Sequence, residues 1–254
     1  MKQDSTLGLR CACNNANGMI EGAKAAYRAI LAIDDETPRL IRFVHRVVGG
    51  RKNFQIVDVG CGYGRTLRAL RMAGIDAIGI DVNPHIVASN NKEGLKCFTP
   101  TEFAAQPVQA DVLIMSHVIE HFSPRDLLAF LDGYLENLRP GGHLLVATPL
   151  LGARFFDDFD HIKPYQPVGL GMVFGASGAQ VQYYGRHRLK LADVWFRRSP
   201  YAVAYARGLY VKSWTTPFLQ LINLSCALVF RASAGLIGQA SGWVGLFEKV
   251  DSSV

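Results

Sequence analysis

Two acids and a set of alternating glycines give this sequence its clearest chemistry. The glycines directly follow an apolar run and are Gly60, Gly62 and Gly64. Asp58 lies just before them, and Asp81 closes a second apolar run farther along the chain. Glycine lets a ligand approach the backbone closely, and a carboxylate accepts hydrogen bonds from hydroxyl and ammonium groups. The combination indicates a ligand site that is formed by backbone atoms and carboxylates.

The patterns around these residues indicate the elements that position them. Residues 54–59 are an apolar, β-branched run typical of a buried parallel strand, and residues 65–73 carry helical spacing. Residues 77–80 are a second apolar strand, so Asp81 stands at its carboxyl end. Ligands of open α/β sheets bind at that edge. We therefore expect a ligand site at the carboxyl edge of an α/β sheet.

The glycine spacing distinguishes between two kinds of ligand. A dinucleotide-binding turn follows the pattern G-x-G-x-x-G/A, in which the last small residue lets the helix pack closely on the strand. Counted from Gly60, the sixth position is Arg65, so this fingerprint fails. A nicotinamide-dependent oxidoreductase is therefore the less favoured alternative, and binding of a dinucleotide would reveal it.

The segment D-V-G-C-G-Y-G, residues 58–64, resembles motif I of the class I S-adenosylmethionine-dependent methyltransferases. The resemblance implies a doubly wound α/β fold with a seven-stranded, mostly parallel sheet, helices ahead of it and a C-terminal lid insertion. It implies S-adenosyl-L-methionine as cofactor and S-adenosyl-L-homocysteine as product. In that family the glycine turn passes under the amino-acid part of the cofactor, and the second acid binds the ribose. The cofactor-binding residues that it implies are Asp58, Gly60, Cys61, Gly62, Gly64, Asp81, Val82, Ser116 and His117.

Later motifs extend the resemblance. Residues 110–116 are an apolar fourth strand, and a turn with the pair Glu120-His121 follows it. Ser123 is placed as the N-cap of the next helix, after which R-P-G-G leads into a fifth strand that ends in T-P. These motifs stand in the family's order over roughly residues 35–165. A protein that binds the cofactor without turnover is the alternative interpretation.

Three histidines are candidates for proton transfer. A sulfonium methyl donor is already activated, so the protein must align the acceptor and exclude water, and a hydroxyl acceptor also benefits from a base. His121 and His161 are the predicted catalytic residues and are expected to reach one pocket, whereas His117 is placed at the cofactor. For each ring, a hydrogen bond to the local backbone is the alternative. Ser116-His117-Val118 lacks the motif of N-directed enzymes, so we expect an oxygen acceptor on a small molecule, a lipid-linked metabolite or a glycan.

One pattern points to a different chemistry. Residues 117–121 read H-x-x-E-H, which matches some zinc peptidases. Those enzymes need both histidines on one helical face, whereas here His117 closes a strand. We therefore predict no metal site. The alternative is a divalent ion held by Glu120 and His121, since this region resembles quinone-biosynthesis O-methyltransferases that use one.

Composition and charge bound the partners. The 254 residues include five cysteines without metal-ligand spacing and carry a net charge of +6. Between residues 185 and 214, seven basic residues stand against Asp193 alone. We expect a cytoplasmic protein with reduced thiols and no nucleic-acid partner. The basic stretch is either a solvated face or a contact with an anionic partner, such as the surface of a membrane.

Four regions are predicted along the chain. They are an N-terminal arm and helix over residues 1–34, a methyltransferase core over 35–184, a basic and apolar insertion over 185–240, and a last strand with a tail over 241–254. A sixth strand over residues 180–184 would precede the insertion. The apolar run 218–230 is too short for a comfortable membrane span, so it predicts either a buried helix or one at a membrane or dimer interface.

Overall fold

The computed structural model describes residues 22, 24–30, 33, 35–51, 53–106, 108–175 and 182–250. Within them, seven strands form one sheet in the order β3-β2-β1-β4-β5-β7-β6. The strands are β1 Ile56–Val59, β2 Ile78–Ile80, β3 Lys96–Phe98, β4 Ala110–Ser116, β5 Leu138–Pro149, β6 Arg188–Ser199 and β7 Gln239–Val250. The pairs β1–β2, β1–β4, β2–β3 and β4–β5 are parallel, and β5–β7 is antiparallel. The predicted fold class is confirmed.

Helices connect the strands, and several of their starts are encoded locally. The helices are α1 Glu36–Val48, α2 Arg65–Met72, α3 Pro84–Lys92, α4 Pro100–Ala104, α5 Pro124–Leu135, α6 Pro167–Phe174, α7 Arg207–Tyr210 and α8 Thr216–Ala232, with 3-10 turns at Ile119–His121 and Phe155–Asp157. Ser123 caps α5 as predicted, because its hydroxyl accepts a hydrogen bond from the Asp126 N–H at 3.4 Å. Residues 24–30 are also helical, whereas the predicted arm lies outside the described residues.

Helices cover both faces of the central strands. Neighbouring residues of β1, Ile56 and Val57, belong to different apolar clusters because successive side chains of a strand point to opposite faces. The Ile56 cluster includes residues of α1 and α2, and the Val57 cluster includes residues of α5 and α6. Trp243 of β7 is fully buried, and its indole N–H donates to the Tyr165 carbonyl at 2.8 Å. The carboxyl ends of β1 and β4 therefore belong to strands that are covered by apolar side chains on both faces.

The sixth strand is not where the sequence predicts it. Residues 182–184 are not in a strand, residues 180 and 181 lie outside the described residues, and β6 runs from Arg188 to Ser199. The strand forms an edge of the sheet, where charged side chains are common because they discourage pairing with other chains. Because β6 contains several cations, its sequence lacks the apolar pattern by which a strand is predicted. Four of the seven basic residues between residues 185 and 214 belong to β6: Arg188, Lys190, Arg197 and Arg198.

The chain divides into two compact units. One comprises residues 198–240 with the described residues before 35, and the other comprises residues 35–197 with those from 241 onward. In the first unit, the Asn223 side chain of α8 accepts from the Val203 N–H at 2.7 Å and donates to the Val203 carbonyl at 3.2 Å. No helix in the described part of the chain is both long enough and apolar enough to cross a membrane. The predicted division into four regions stays a prediction.

Candidate functional site

The glycine turn after β1 folds tightly against β2. The N–H groups of Gly60 and Cys61 both donate to the Ile80 carbonyl, at 2.8 and 2.9 Å. Gly60 and Gly62 have φ angles of +72° and +51°, and Gly64 has +73°, a region that other residues rarely adopt. The turn therefore has a conformation for which glycine is the suitable residue at each of the three positions.

The two sides of this turn differ in the space around them. A Cβ atom on Gly60 would lie 2.5 Å from Cγ2 of Val118, in the loop after β4. A Cβ atom on Gly62 would meet nothing within 4 Å. The turn is thus packed against the loop after β4 at Gly60 and open at Gly62, where a ligand can approach its backbone.

Asp81 fixes the open side of the turn. Its Oδ2 accepts a hydrogen bond from the Gly62 N–H at 2.9 Å, and its Oδ1 accepts one from the Asn83 N–H at 2.9 Å. Each carboxylate oxygen has a further lone pair. Asp81 can therefore accept hydrogen bonds from ligand hydroxyl groups while it keeps its hydrogen bonds to the Gly62 and Asn83 N–H groups. Val82, which is also predicted at the cofactor, follows with 83% of its surface exposed.

Asp58 is a buried acid with an unused oxygen. It lies in β1 with 1% of its surface exposed, and its Oδ2 has no hydrogen-bond partner among the described residues. Burial raises the pKa of Asp58 to about 8, and the charge of Asp81 acts in the same direction. A cationic group beside Oδ2 would favour the ionised carboxylate. This unpaired acid below the glycine turn fits the ammonium group of an amino-acid ligand.

The side chain of Cys61 packs in the interior beneath the turn and does not face the ligand side. Its sulfur is buried in a small apolar cluster and lies 4.0 Å from the sulfur of Cys97. On the same side, the Asn90 amide of α3 donates to the Gly62 carbonyl at 2.7 Å. The predicted contact of Cys61 with the cofactor would therefore come from its main chain.

The end of β4 carries a chain of charged groups, in which the half-buried His117 joins two buried glutamates. After Ser116, His117 has a φ angle of +57°. Its Nδ1 lies 3.1 Å from Oε1 of Glu120, and its Nε2 lies 3.0 Å from Oε1 of Glu36. Oε2 of Glu120 accepts a hydrogen bond from the Thr148 hydroxyl at 2.9 Å. Because carboxylates occupy both ring nitrogens, the His117 ring is fixed in place, and its predicted contact with the cofactor is left to its main chain.

These contacts keep His117 protonated at neutral pH. Burial lowers the pKa of His117, but the hydrogen bonds to Glu120 and Glu36 outweigh this effect and bring the pKa to about 9. Burial raises the pKa of Glu36, yet His117, Arg197 and Arg65 together lower it below its usual value. Arg197 donates to Oε2 of Glu36 at 2.8 Å from a position 161 residues along the chain. Sequence reasoning missed both residues, since no local motif marks so distant a pair.

Two histidines face each other beyond this chain of charges. The rings of His121 and His161 have centroids 5.0 Å apart and meet edge to face. Nδ1 of His121 lies 3.1 Å from the Asp160 carbonyl oxygen, and Nδ1 of His161 lies 2.7 Å from that of Phe155. A carbonyl only accepts hydrogen bonds, so each Nδ1 carries a hydrogen and each Nε2 is the basic nitrogen of the neutral ring. The structure brings the two predicted catalytic residues together.

Glu120, His121 and His161 also converge as candidate metal ligands. Their ligand atoms all lie within 4.8 Å of one another. Both oxygens of Glu120 already accept hydrogen bonds, so a cation would compete with His117 and Thr148 for them. Sequence reasoning considered the first two residues but not His161, which only the folded loop after β5 brings close. The prediction of no metal site stays a prediction.

The fold and the turn define a class of protein. A parallel sheet with a glycine turn after β1 and an acid after β2 is typical of Rossmann-like domains that bind a cofactor at the carboxyl edge. A family model described as "Methyltransferase domain" matches residues 32–207. The chain belongs to this family, the S-adenosylmethionine-dependent methyltransferases, and S-adenosylmethionine is the cofactor that its site fits.

Comparisons with known proteins agree with this family. The chain is 29% identical to a ubiquinone biosynthesis O-methyltransferase of Xylella fastidiosa over 103 residues, which are 37% of this chain and 41% of that one. A ubiquinone biosynthesis O-methyltransferase of Chelativorans sp. is 28% identical over 105 residues, 38% and 41% of the two chains. The chain thus spans about 41% of the length of these curated relatives. A SAM dependent methyltransferase from Archaeoglobus fulgidus shares the fold with a TM-score of 0.55, 20% identity and coverage of 84% and 92%.

Proposed function

We propose that this chain transfers the methyl group of S-adenosylmethionine to an oxygen of a small-molecule, lipid-linked or glycan acceptor. The observation that carries the proposal is the pair His121 and His161, which lie in the loops after β4 and β5 and whose Nδ1 atoms are both held by backbone carbonyls of the loop after β5. Two basic Nε2 atoms in these loops suit the removal of a proton from a hydroxyl group. The similarity to two O-methyltransferases supports an oxygen acceptor for the part of the chain that they match.

The glycine turn and its two acids would hold the cofactor. Asp58 would pair its unused Oδ2 with the ammonium group of the amino-acid end, and Asp81 would accept hydrogen bonds from the ribose hydroxyls. The open backbone at Gly62 admits the cofactor, and main-chain atoms near Ser116 would line the same edge. When bound, the sulfonium of the cofactor supplies an activated methyl group. The protein must then align the acceptor oxygen with it and exclude water.

The two histidines have different surroundings, and this difference suggests separate roles. Nε2 of His161 lies 3.7 Å from Oδ2 of Asp158, whose charge would stabilise the ring after it takes a proton. His121 has no carboxylate partner of this kind among the residues that the structure describes. We therefore assign the general base to His161, and His121 packs against it as the residue that positions it or shares the proton.

A pair of matched acceptors tests the direction of transfer. Labelled S-adenosylmethionine is incubated with a dihydroxybenzene and with the corresponding aminobenzene, and we expect label only on the hydroxyl compound. His161→Gln should lower kcat by roughly a hundredfold or more, as for other general bases, with unchanged affinity for S-adenosylhomocysteine. His45→Gln, on an exposed site of α1, is the control.

Two results would contradict this assignment. Label on the amine alone would exclude an oxygen-directed enzyme, and full turnover by the double variant His121→Gln/His161→Gln would exclude both bases. Binding of S-adenosylhomocysteine with no transfer to any acceptor in a metabolite and lipid extract would favour the alternative, a cofactor-binding protein without turnover.

We also infer a peripheral membrane contact through residues 185–240. In this stretch, Trp214 has 82% of its surface exposed, and Phe218 and Leu221 of α8 are exposed as well. Exposed apolar side chains near cations such as Arg207 are typical of helices that lie at a bilayer surface. Flotation with anionic liposomes should carry the protein upward, and Trp214→Ser/Phe218→Ser should abolish this. Equal flotation of both proteins would refute the contact.

A further inference from the structure

A second cavity lies between α5 and α6, outside the cofactor site. Its volume is about 370 Å³, within the range of small-molecule pockets. The wall is largely apolar, and no acidic side chain contributes to it among the described residues. The residues of the two helices that form most of this wall are Leu127, Leu128, Leu170, Met172, Val173 and Phe174. Such a wall suits an apolar chain or ring.

Among the described residues that line the cavity, Lys163 is the one with a charged side chain that a ligand can meet. The Tyr165 hydroxyl is engaged, because it donates to the Phe122 carbonyl at 2.9 Å. The Lys163 ammonium group lies 5.6 Å from the centre of the Tyr165 ring and is exposed, and it has no carboxylate partner in the part of the chain that the structure describes. The cavity therefore has an apolar interior and a cation at its margin.

The segment that contains Lys163 is hydrogen-bonded to the turn that carries His121. The N–H groups of Ile162 and Lys163 both donate to the Glu120 carbonyl, at 2.8 and 3.2 Å. Lys163 also follows His161 by two residues, in the same segment of the loop after β5. A ligand whose head meets Lys163 would thus be bound by the loop segment that also carries His161, with its apolar part between α5 and α6.

We propose that this cavity binds an amphiphilic anion, with an apolar chain or ring between α5 and α6 and a carboxylate or phenolate head at Lys163. In so far as this ligand is the methyl acceptor, the inference rests on the proposed function. The charge of Lys163 selects an anion, and the apolar wall selects against a sugar or a short polar metabolite, whose hydroxyl groups would find few partners there.

Two glycines of α6 allow a matched test of the cavity. Gly169 lines the cavity and Gly171 does not, and an added Cβ meets nothing within 4 Å at either position. Both residues are helical, so replacing either one removes a helix-weakening glycine. Gly169→Trp should fill the cavity without a clash at the backbone, and Gly171→Trp places the same side chain outside it.

The probe is dodecanoate, and it is compared with dodecanol and dodecyltrimethylammonium, which have the same chain length and a different head charge. In titration calorimetry below the micelle-forming concentrations, the unaltered chain should bind dodecanoate most tightly, dodecanol less tightly and dodecyltrimethylammonium most weakly. Gly169→Trp should weaken dodecanoate binding at least tenfold and Gly171→Trp should leave it unchanged. Lys163→Gln should remove the preference for dodecanoate over dodecanol. All three variants should bind S-adenosylhomocysteine as the unaltered chain does.

Equal dodecanoate affinity in the two tryptophan variants, or the same affinity for all three heads, would overturn the proposal. The outcome is separate from that of the proposed function, because dodecanoate binding is measured without turnover. If the chain binds dodecanoate at this cavity but transfers no methyl group, the proposed function is wrong and the ligand site stands. If the chain methylates an acceptor with equal KM in Gly169→Trp and Gly171→Trp, the proposed function stands and the cavity is not the acceptor site.

Discussion

The unpaired acid below the glycine turn leads to a prediction about protons. Burial gives Asp58 a pKa of about 8, so the carboxyl group of the cofactor-free chain is mostly protonated at neutral pH. If the cofactor's ammonium group pairs with the ionised form, binding must first remove this proton. The apparent affinity for S-adenosylhomocysteine should therefore rise with pH, and the number of protons released for each molecule that binds should fall from about one near pH 6 to about 0.8 near pH 7.5.

The size of the effect follows from this pKa. With a value of about 8, roughly 1% of Asp58 is ionised near pH 6 and roughly 24% near pH 7.5. Because only the ionised fraction is competent to bind, the apparent dissociation constant should fall roughly 25-fold over that interval. Titration calorimetry in buffers of different ionisation enthalpy measures the affinity and the number of protons together.

Asp58→Asn is the matched variant, since asparagine has nearly the same shape and no proton to lose. It should bind the ligand more weakly near neutral pH, with an affinity that does not change over this interval and without proton release. An unaltered chain whose affinity is flat with pH, or a variant that still releases a proton, would refute the role given to Asp58.

The raised pKa of Asp58 also affects the stability of the folded chain. Since the folded chain keeps a proton that the unfolded chain loses, Asp58 makes the cofactor-free protein less stable as pH rises from about 4 to about 8. Saturating ligand should reduce this dependence, because the ionised form is then the stable one. Chemical unfolding at several pH values, with and without ligand, measures this.

The remaining predictions concern the turn and the buried charges. Gly60→Ala should weaken cofactor binding and stability more than Gly62→Ala, by about 1–3 kcal/mol, because only its Cβ meets Val118 at 2.5 Å; equal losses measured by unfolding would contradict this. Glu36→Gln should cost roughly 3 kcal/mol near neutral pH, and less above the His117 pKa of about 9, where that ring loses its charge. The His117 pKa, measured by NMR, should fall in the Glu36 variant, and an unchanged value would show that Glu36 does not set it.

Local patterns predicted the glycine turn after β1 and the position of Asp81 at the end of β2. The turn depends on a strand, three glycines and an acid that stand close together in the sequence. Each of these indicates a structural feature by its residue type alone: Gly60 a backbone conformation with positive φ, and Asp81 a position at the carboxyl end of a strand. The cofactor-binding roles of these residues stay predictions until binding is measured.

The rest of the candidate site depends on contacts that no local pattern records. The Glu36–Arg197 pair joins the start of α1 to the edge strand β6, and β6 itself was hidden because the cations that suit an edge strand read as a charged insertion. His161 reaches Glu120 and His121 only through the fold of the loop after β5. Each of these features is set by packing rather than by periodicity, so one sequence alone did not reveal it.

The buried charges also limit which histidine can act as a base. Glu36 and Glu120 are almost fully enclosed, and two carboxylates in such a place are costly unless a cation lies between them. His117 is that cation, since each of its ring nitrogens meets one carboxylate and its pKa is about 9. A ring that is protonated at neutral pH cannot accept a proton from an acceptor hydroxyl. If the acceptor is a hydroxyl group, as we propose, we therefore expect its proton to go to His121 or His161, whose Nδ1 atoms are hydrogen-bonded to carbonyl oxygens and whose Nε2 atoms have no such bond among the described residues.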